Sequence, residues 1–155
     1  MSAEGRSAVA SAAGWTRGLW LWGPPAIYAL AIFGVSSLGA PPAPPTHLTD
    51  KHMHLLAYGG LALVLVRALA GGRWSGVTAV TGVQAAMAAI AYGATDEWHQ
   101  WFVPGRHADL LDVAADAVGA ALSVGILGVV AWWSRRAERA DTRFARAAGK
   151  VGQTP

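Results

Sequence analysis

Long apolar runs separated by short polar stretches dominate the chain, at 18–38, 53–70, 77–95 and 114–133. Each approaches the roughly 20 residues that a helix needs to cross about 30 Å of hydrocarbon. Core helices of soluble domains are usually shorter and keep a polar face. The pattern therefore predicts an all-α membrane protein with four transmembrane helices. The first run follows a short basic stretch, as a signal peptide would. Its length, the Pro41 and Pro42 that follow Ala40, and the three runs after it favour a retained span.

Loop charges set an orientation. Arg6 and Arg17 precede the first run, Arg67 and Arg73 lie between the second and third, and Arg135, Arg136, Arg139, Arg143, Arg146 and Lys150 follow the fourth. The alternate loops hold only Lys51 and Arg106. Ten basic residues against two place both termini in the cytoplasm. Trp20, Trp22, Trp74, Trp132 and Trp133 then form an inner aromatic belt, and Trp98 and Trp101 an outer one. The chain divides into an N-terminal tail at 1–17, a membrane domain at 18–133 and a basic tail at 134–155. The proline-rich stretch 39–49 is expected to be extended, and residues 1–14 and 141–155 poorly ordered.

Composition narrows the class further. Hydrophobic residues make up 54% of the 155 and charged residues only 14%, against roughly 25% charged in soluble domains. There is no cysteine, so disulfides, thiolate metal sites and a cysteine nucleophile are excluded. The net charge of +3 comes from a tail that follows an apolar run and carries a single aromatic, Phe144. Such a tail suits a membrane surface rather than nucleic acid.

The chemistry-bearing residues are one-sided. His47, His52, His54, His99 and His107 all fall on the expected outer side, as do Asp50, Asp96, Glu97, Asp109, Asp112 and Asp116. Asp50, His54 and Tyr58 repeat at helical spacing, as do Tyr92, Asp96 and Gln100, with Glu97 alongside. Asp109, Asp112, Asp116, Gly119 and Ser123 run down the fourth helix. Three polar columns thus enter the membrane from one side and can satisfy one another only by facing inward. Helix capping is an alternative reading for Asp50 and Asp109. It does not serve Asp116, two turns inside its helix, or Asp96 and Glu97, near a helix C-terminus where the dipole opposes negative charge. Ionisable residues at membrane depth mark functional sites by default.

Six acids against Lys51 and Arg106 leave a formal charge of −4 on this cluster with the histidines neutral. Close, poorly solvated carboxylates cannot all stay ionised unaided. Shared protons, protonated histidines or a bound divalent cation would each relieve them, and the spacing alone defines no ligand set. Gln84, in mid-run, is expected to bond a neighbouring helix. His47, His52 and His107 are expected to be solvated loop residues. The small residues of "GATDE" and "AVGAALSVG" suit close helix contacts.

Two stretches, "TDKHMHLLAYGGLAL" and "YGATDEWHQWFVPGRHADLLDVAADAVGAAL", resemble the VanZ-like family of small membrane proteins over about residues 18–133. The shared pattern falls on Asp50, Lys51 and His54, on Asp96, Glu97 and Gln100, on Phe102, Pro104, Gly105 and Arg106, and on Asp109, Asp112 and Gly119. Asp116 is a departure, since the family usually has asparagine there. The resemblance implies a link to low-level glycopeptide (teicoplanin) resistance. It also implies kinship with a proposed Lipocone superfamily of lipid-associated enzymes, which includes phosphatidylserine synthases and is thought to act on phosphate-linked head groups.

With the resemblance set beside the residues, the first reading is a membrane enzyme of the bacterial plasma membrane. Its partner would be a membrane lipid or lipid-linked envelope precursor in the outer leaflet, with no nucleic acid. His54, Glu97, Asp96 and Asp112 are the candidate catalytic residues. His54 serves as base or nucleophile, oriented by Asp50 or Asp112, and Glu97 serves as the complementary acid or a metal ligand. Arg106, Lys51, Gln100, Asp50, Asp109 and Asp116 are the candidate substrate-binding residues. Arg106 grips phosphate, and Lys51 and Gln100 stabilise negative charge. The cofactor stays undefined, a divalent cation being one candidate. The second reading is a non-catalytic pocket that binds a head group or shields an envelope target and so alters antibiotic access. A proton-coupled transporter fits less well, because only Gln84 and Ser123 carry polarity deeper than the outer face.

Overall fold

The computed structural model describes residues 3–40 and 47–151, with side chains over 14–40, 47–139 and 142. It is all-helical among the described residues: α1 (Ala3–Ser36), α2 (Asp50–Leu69), a 3₁₀ turn (Trp74–Gly76), α3 (Ala79–Gln100) and α4 (Leu110–Val151). Three stretches are long and apolar enough to cross a membrane: Gly14–Ser36, Asp50–Leu69 and Leu110–Arg139. The fourth expected one, α3, has the length at 22 residues but is alanine-rich and ends in the polar run TDEWHQ, which lowers its apolarity.

The helices overrun the apolar segments at both ends. The N- and C-terminal stretches, expected to be poorly ordered, are helical from Ala3 and as far as Val151. Both helical stretches are rich in alanine, carry arginine and lack proline, a composition that sustains a helix without apolar packing. The proline-rich segment lies outside the described residues at 41–46.

α2 is the centre of the bundle and packs on the other three helices. Its partnership with α4 is set by missing side chains. Gly119 of α4 lies against the backbone of Leu55, where a Cβ would collide. One turn further along, Gly59 of α2 faces Gly119 and the Ser123 hydroxyl. Helices in an apolar medium associate through such close packing rather than through hydrophobic burial. Tyr58, Leu61, Ala62, Ala89 and Ala120 form the core on one side of this seam, and Val66, Ala70, Val77, Ala85 and Ala131 extend it along the bundle. α1 rests its Tyr28 hydroxyl on Gly60. Among the described residues Gln84 bonds no neighbouring helix: it lies on the exposed face of α3 beside Val83 and Met87.

Candidate functional site

The acids and histidines converge at one end of the bundle, where α1 and α3 finish and α2 and α4 begin. Helix ends account for some of them. Thr49 caps α2, with its backbone N–H donating to Nδ1 of His52 at 3.1 Å. His52 is therefore part of the cap rather than a free loop residue, and Asp50 is the first residue of the helix instead of its cap. Asp109 does cap α4: its carboxylate accepts the Leu111 N–H at 2.9 Å. It also receives Lys51 Nζ at 2.6 Å, and Lys51 reaches Asp112 at 2.9 Å. The Lys51 ammonium, followed by the Leu111 amide, holds the Asp109 carboxyl below its usual range.

His54 sits at the centre, buried between α2, α3 and α4. Its Nδ1 lies 3.1 Å from Oδ1 of Asp116, which is 0% exposed. Its Nε2 lies 3.8 Å from Oε1 of Glu97, which is 5% exposed. The expected orienting partners, Asp50 and Asp112, are near the ring, but the hydrogen bond goes to Asp116. Room for that carboxylate comes from Gly93 of α3, where a Cβ would overlap it. Glu97 uses its other oxygen, Oε2, to accept the Asp109 backbone N–H at 2.7 Å, and so ties α3 to the start of α4. Among the described residues, Oε1 of Glu97 and Oδ2 of Asp116 have no hydrogen-bond partner. Buried polar atoms are normally paired, so these two mark where a ligand atom would be welcome.

A second chain of contacts runs along α3 and its following turn. Asp96 accepts from Gln100 at 3.1 Å, and the Gln100 carbonyl accepts twice from Arg106, at 2.6 and 3.1 Å. Gln100 thus bridges the Asp96 carboxylate and Arg106 and positions the guanidinium. Arg106 keeps its Nη1 donors without a hydrogen-bond partner among the described residues, and lies half-buried at the rim. The turn before it depends on Gly105, whose φ of +84° is in the left-handed region that glycine tolerates. That turn packs against Gly39 at the end of α1.

Sequence reasoning brought every candidate residue to one end of the bundle. It did not pair His54 with Asp116, and it did not find the role of His99. The His99 ring lies 4.6 Å from that of Phe33, and its Nε2 is 3.1 Å from the Ser37 hydroxyl, so it fastens α3 to α1. No helical-spacing signal could have shown this contact, which joins residues 62 positions apart.

Asp50, His54 and Asp112 each offer a ligand atom, and these atoms lie within 4.8 Å of one another. This end thus presents a guanidinium at the rim, an imidazole between two buried carboxylates, and a histidine gathered with two carboxylates between α2 and α4. No curated protein and no solved structure matches the chain. A family model does: it matches residues 21–131, which take in α2, α3, parts of α1 and α4, the three connections between them and every residue of the site, so the chain belongs to the VanZ/LLP1 family.

Proposed function

We propose that the chain is a four-span protein of the plasma membrane with both termini in the cytoplasm. Its polar end would act on a phosphate-linked lipid head group or a lipid-linked envelope precursor in the outer leaflet. One observation carries this reading: His54 is gripped at Nδ1 by the fully buried Asp116 while Nε2 faces an oxygen of Glu97 that has no donor. An imidazole fixed through one nitrogen and open at the other is the arrangement that acid–base and nucleophilic chemistry require.

The supporting groups fall where a phosphate ester would need them. Arg106, steadied by Gln100, offers its outer donors to phosphate oxygens, while Lys51 at the mouth offsets the charge of Asp109 and Asp112. Nε2 of His54 and Oε1 of Glu97 are the two atoms left to exchange protons with the attacking and leaving oxygens. Trp98, Trp101 and Phe102, all strongly exposed, surround this end at the depth where aromatic side chains meet head groups. α3, less apolar than its neighbours, completes the fourth crossing by carrying the acid face inward.

The test is lipid mass spectrometry on membranes with equal amounts of wild type, His54→Ala and Glu97→Gln. A head-group or precursor species formed only with wild type, and reduced at least about 100-fold in both variants, is the expected result. Identical profiles with all three proteins folded would refute lipid chemistry and leave head-group binding, with its effect on antibiotic access, as the role of the pocket.

A further inference from the structure

The basic residues do not reach the centre of the site. Lys51 is engaged by Asp109 and Asp112 near the surface, and Arg106 bonds the neutral carbonyl of Gln100. Around His54 this leaves the buried Glu97 and Asp116 with the His54 imidazole as the only basic group beside them among the described residues, and a neutral imidazole brings them no positive charge. Burying carboxylates without compensation is costly. Two independent features point to a bound cation there. The ligand atoms of Asp50, His54 and Asp112 gather within 4.8 Å of one another. Glu97, only 5% exposed, turns an oxygen with no hydrogen-bond partner toward Nε2 of the same histidine.

We infer that Asp50, His54 and Asp112 hold a divalent first-row transition-metal ion, and that Asp116 fixes the ring that ligates it. The inference rests on the reading of this end as a functional site. With Asp116 accepting from Nδ1–H, the free lone pair of His54 is at Nε2, the usual arrangement of a carboxylate–histidine–metal relay. Asp112 gives Oδ1 to Lys51 and has its second oxygen for the ion. A spread of 4.8 Å closes onto bonds of about 2.0–2.2 Å by small side-chain rotations, most easily at the exposed Asp50. One imidazole with two carboxylates is a mixed set that suits zinc or iron better than magnesium or calcium, which prefer oxygen alone, and Mn²⁺ serves as a paramagnetic stand-in. With Nε2 on the ion, the proton-transfer role falls to Glu97, whose unpartnered oxygen lies beside it.

The probe is Mn²⁺, titrated into the metal-free full-length chain in detergent and followed by electron paramagnetic resonance. The expected result is one bound Mn²⁺ per chain with nitrogen modulation from a directly bonded imidazole. His54→Ala should lose the nitrogen signal, and Asp112→Asn, which keeps side-chain shape, should lose saturable binding. Asp116→Asn should retain the nitrogen signal with affinity weakened about 10- to 100-fold. No saturable binding up to millimolar Mn²⁺ would overturn the inference, as would binding that Asp112→Asn leaves unchanged. Failure of the ion and failure of the lipid reading are separable. Head-group turnover that persists in chelator-washed membranes, with no Mn²⁺ bound, removes the ion and leaves the enzyme. A Mn²⁺ site in a protein that changes no lipid keeps the ion and removes the lipid chemistry.

Discussion

The two ends of the bundle use polar side chains in opposite ways. At the end where α2 finishes, Arg67 donates to the Trp20 carbonyl at 3.0 Å and lies over the Trp20 ring at 3.9 Å, while Arg135 donates to the Val77 carbonyl at 2.9 Å. Each of these cations fastens one element to another. At the His54 end the contacts also fasten, through Glu97 to Asp109 and through His99 to Ser37, yet carboxylate oxygens remain over. A structural lock gains nothing from buried acids left without donors. The leftover oxygens are what separate a site from a joint.

Three substitutions sharpen or break that contrast. The largest effect is expected from Gly93→Ala, because the added methyl meets the Asp116 carboxylate and pushes it from His54. Overpacking of this kind typically costs about 1–3 kcal/mol. Melting in detergent should fall accordingly, together with near-complete loss of any lipid product. Asp116→Asn comes next. It keeps the shape and an acceptor for His54 but removes the charge, so product formation should drop about 10- to 100-fold with stability held. A variant that instead unfolds would make Asp116 a lock. The smallest effect is expected at the other end: Arg67→Gln removes a ring contact worth about 0.5–1 kcal/mol. It should lower the melting temperature by no more than about 4 °C and leave lipid profiles untouched.

Much of this was legible in the chain because helix periodicity survives translation from sequence to space. The columns Asp50–His54, Asp96–Gln100 and Asp112–Asp116 are properties of single helices, and each appears where its spacing put it. Helix limits were less legible, since hydropathy marks the membrane-length part of a helix and not its ends. α3 continues past its apolar part to Gln100 because the first helix breakers are Pro104 and Gly105, and α4 starts at Leu110 because Asp109 caps it there. The partner of His54 was not legible either. Whether Asp112 or Asp116 meets it depends on how far α4 slides along α2, and that register is set by Gly119 against Leu55 and by Gly59 against Ser123. Glycines in an apolar run signal close approach, but not to which atom.

The claim that the His54 end is a site rather than a joint is tested most directly by the melting temperature of Glu97→Gln beside wild type, in the same detergent. Glutamine keeps an oxygen for the Asp109 N–H and replaces the donorless Oε1 with an amide, removing a buried carboxylate. The account predicts a variant at least as stable as wild type that has lost its function, the trade expected where activity is kept at the expense of stability. A fall of more than about 4 °C, on the order of 1 kcal/mol or more in a chain this size, would contradict it. Glu97 would then be holding the helices together.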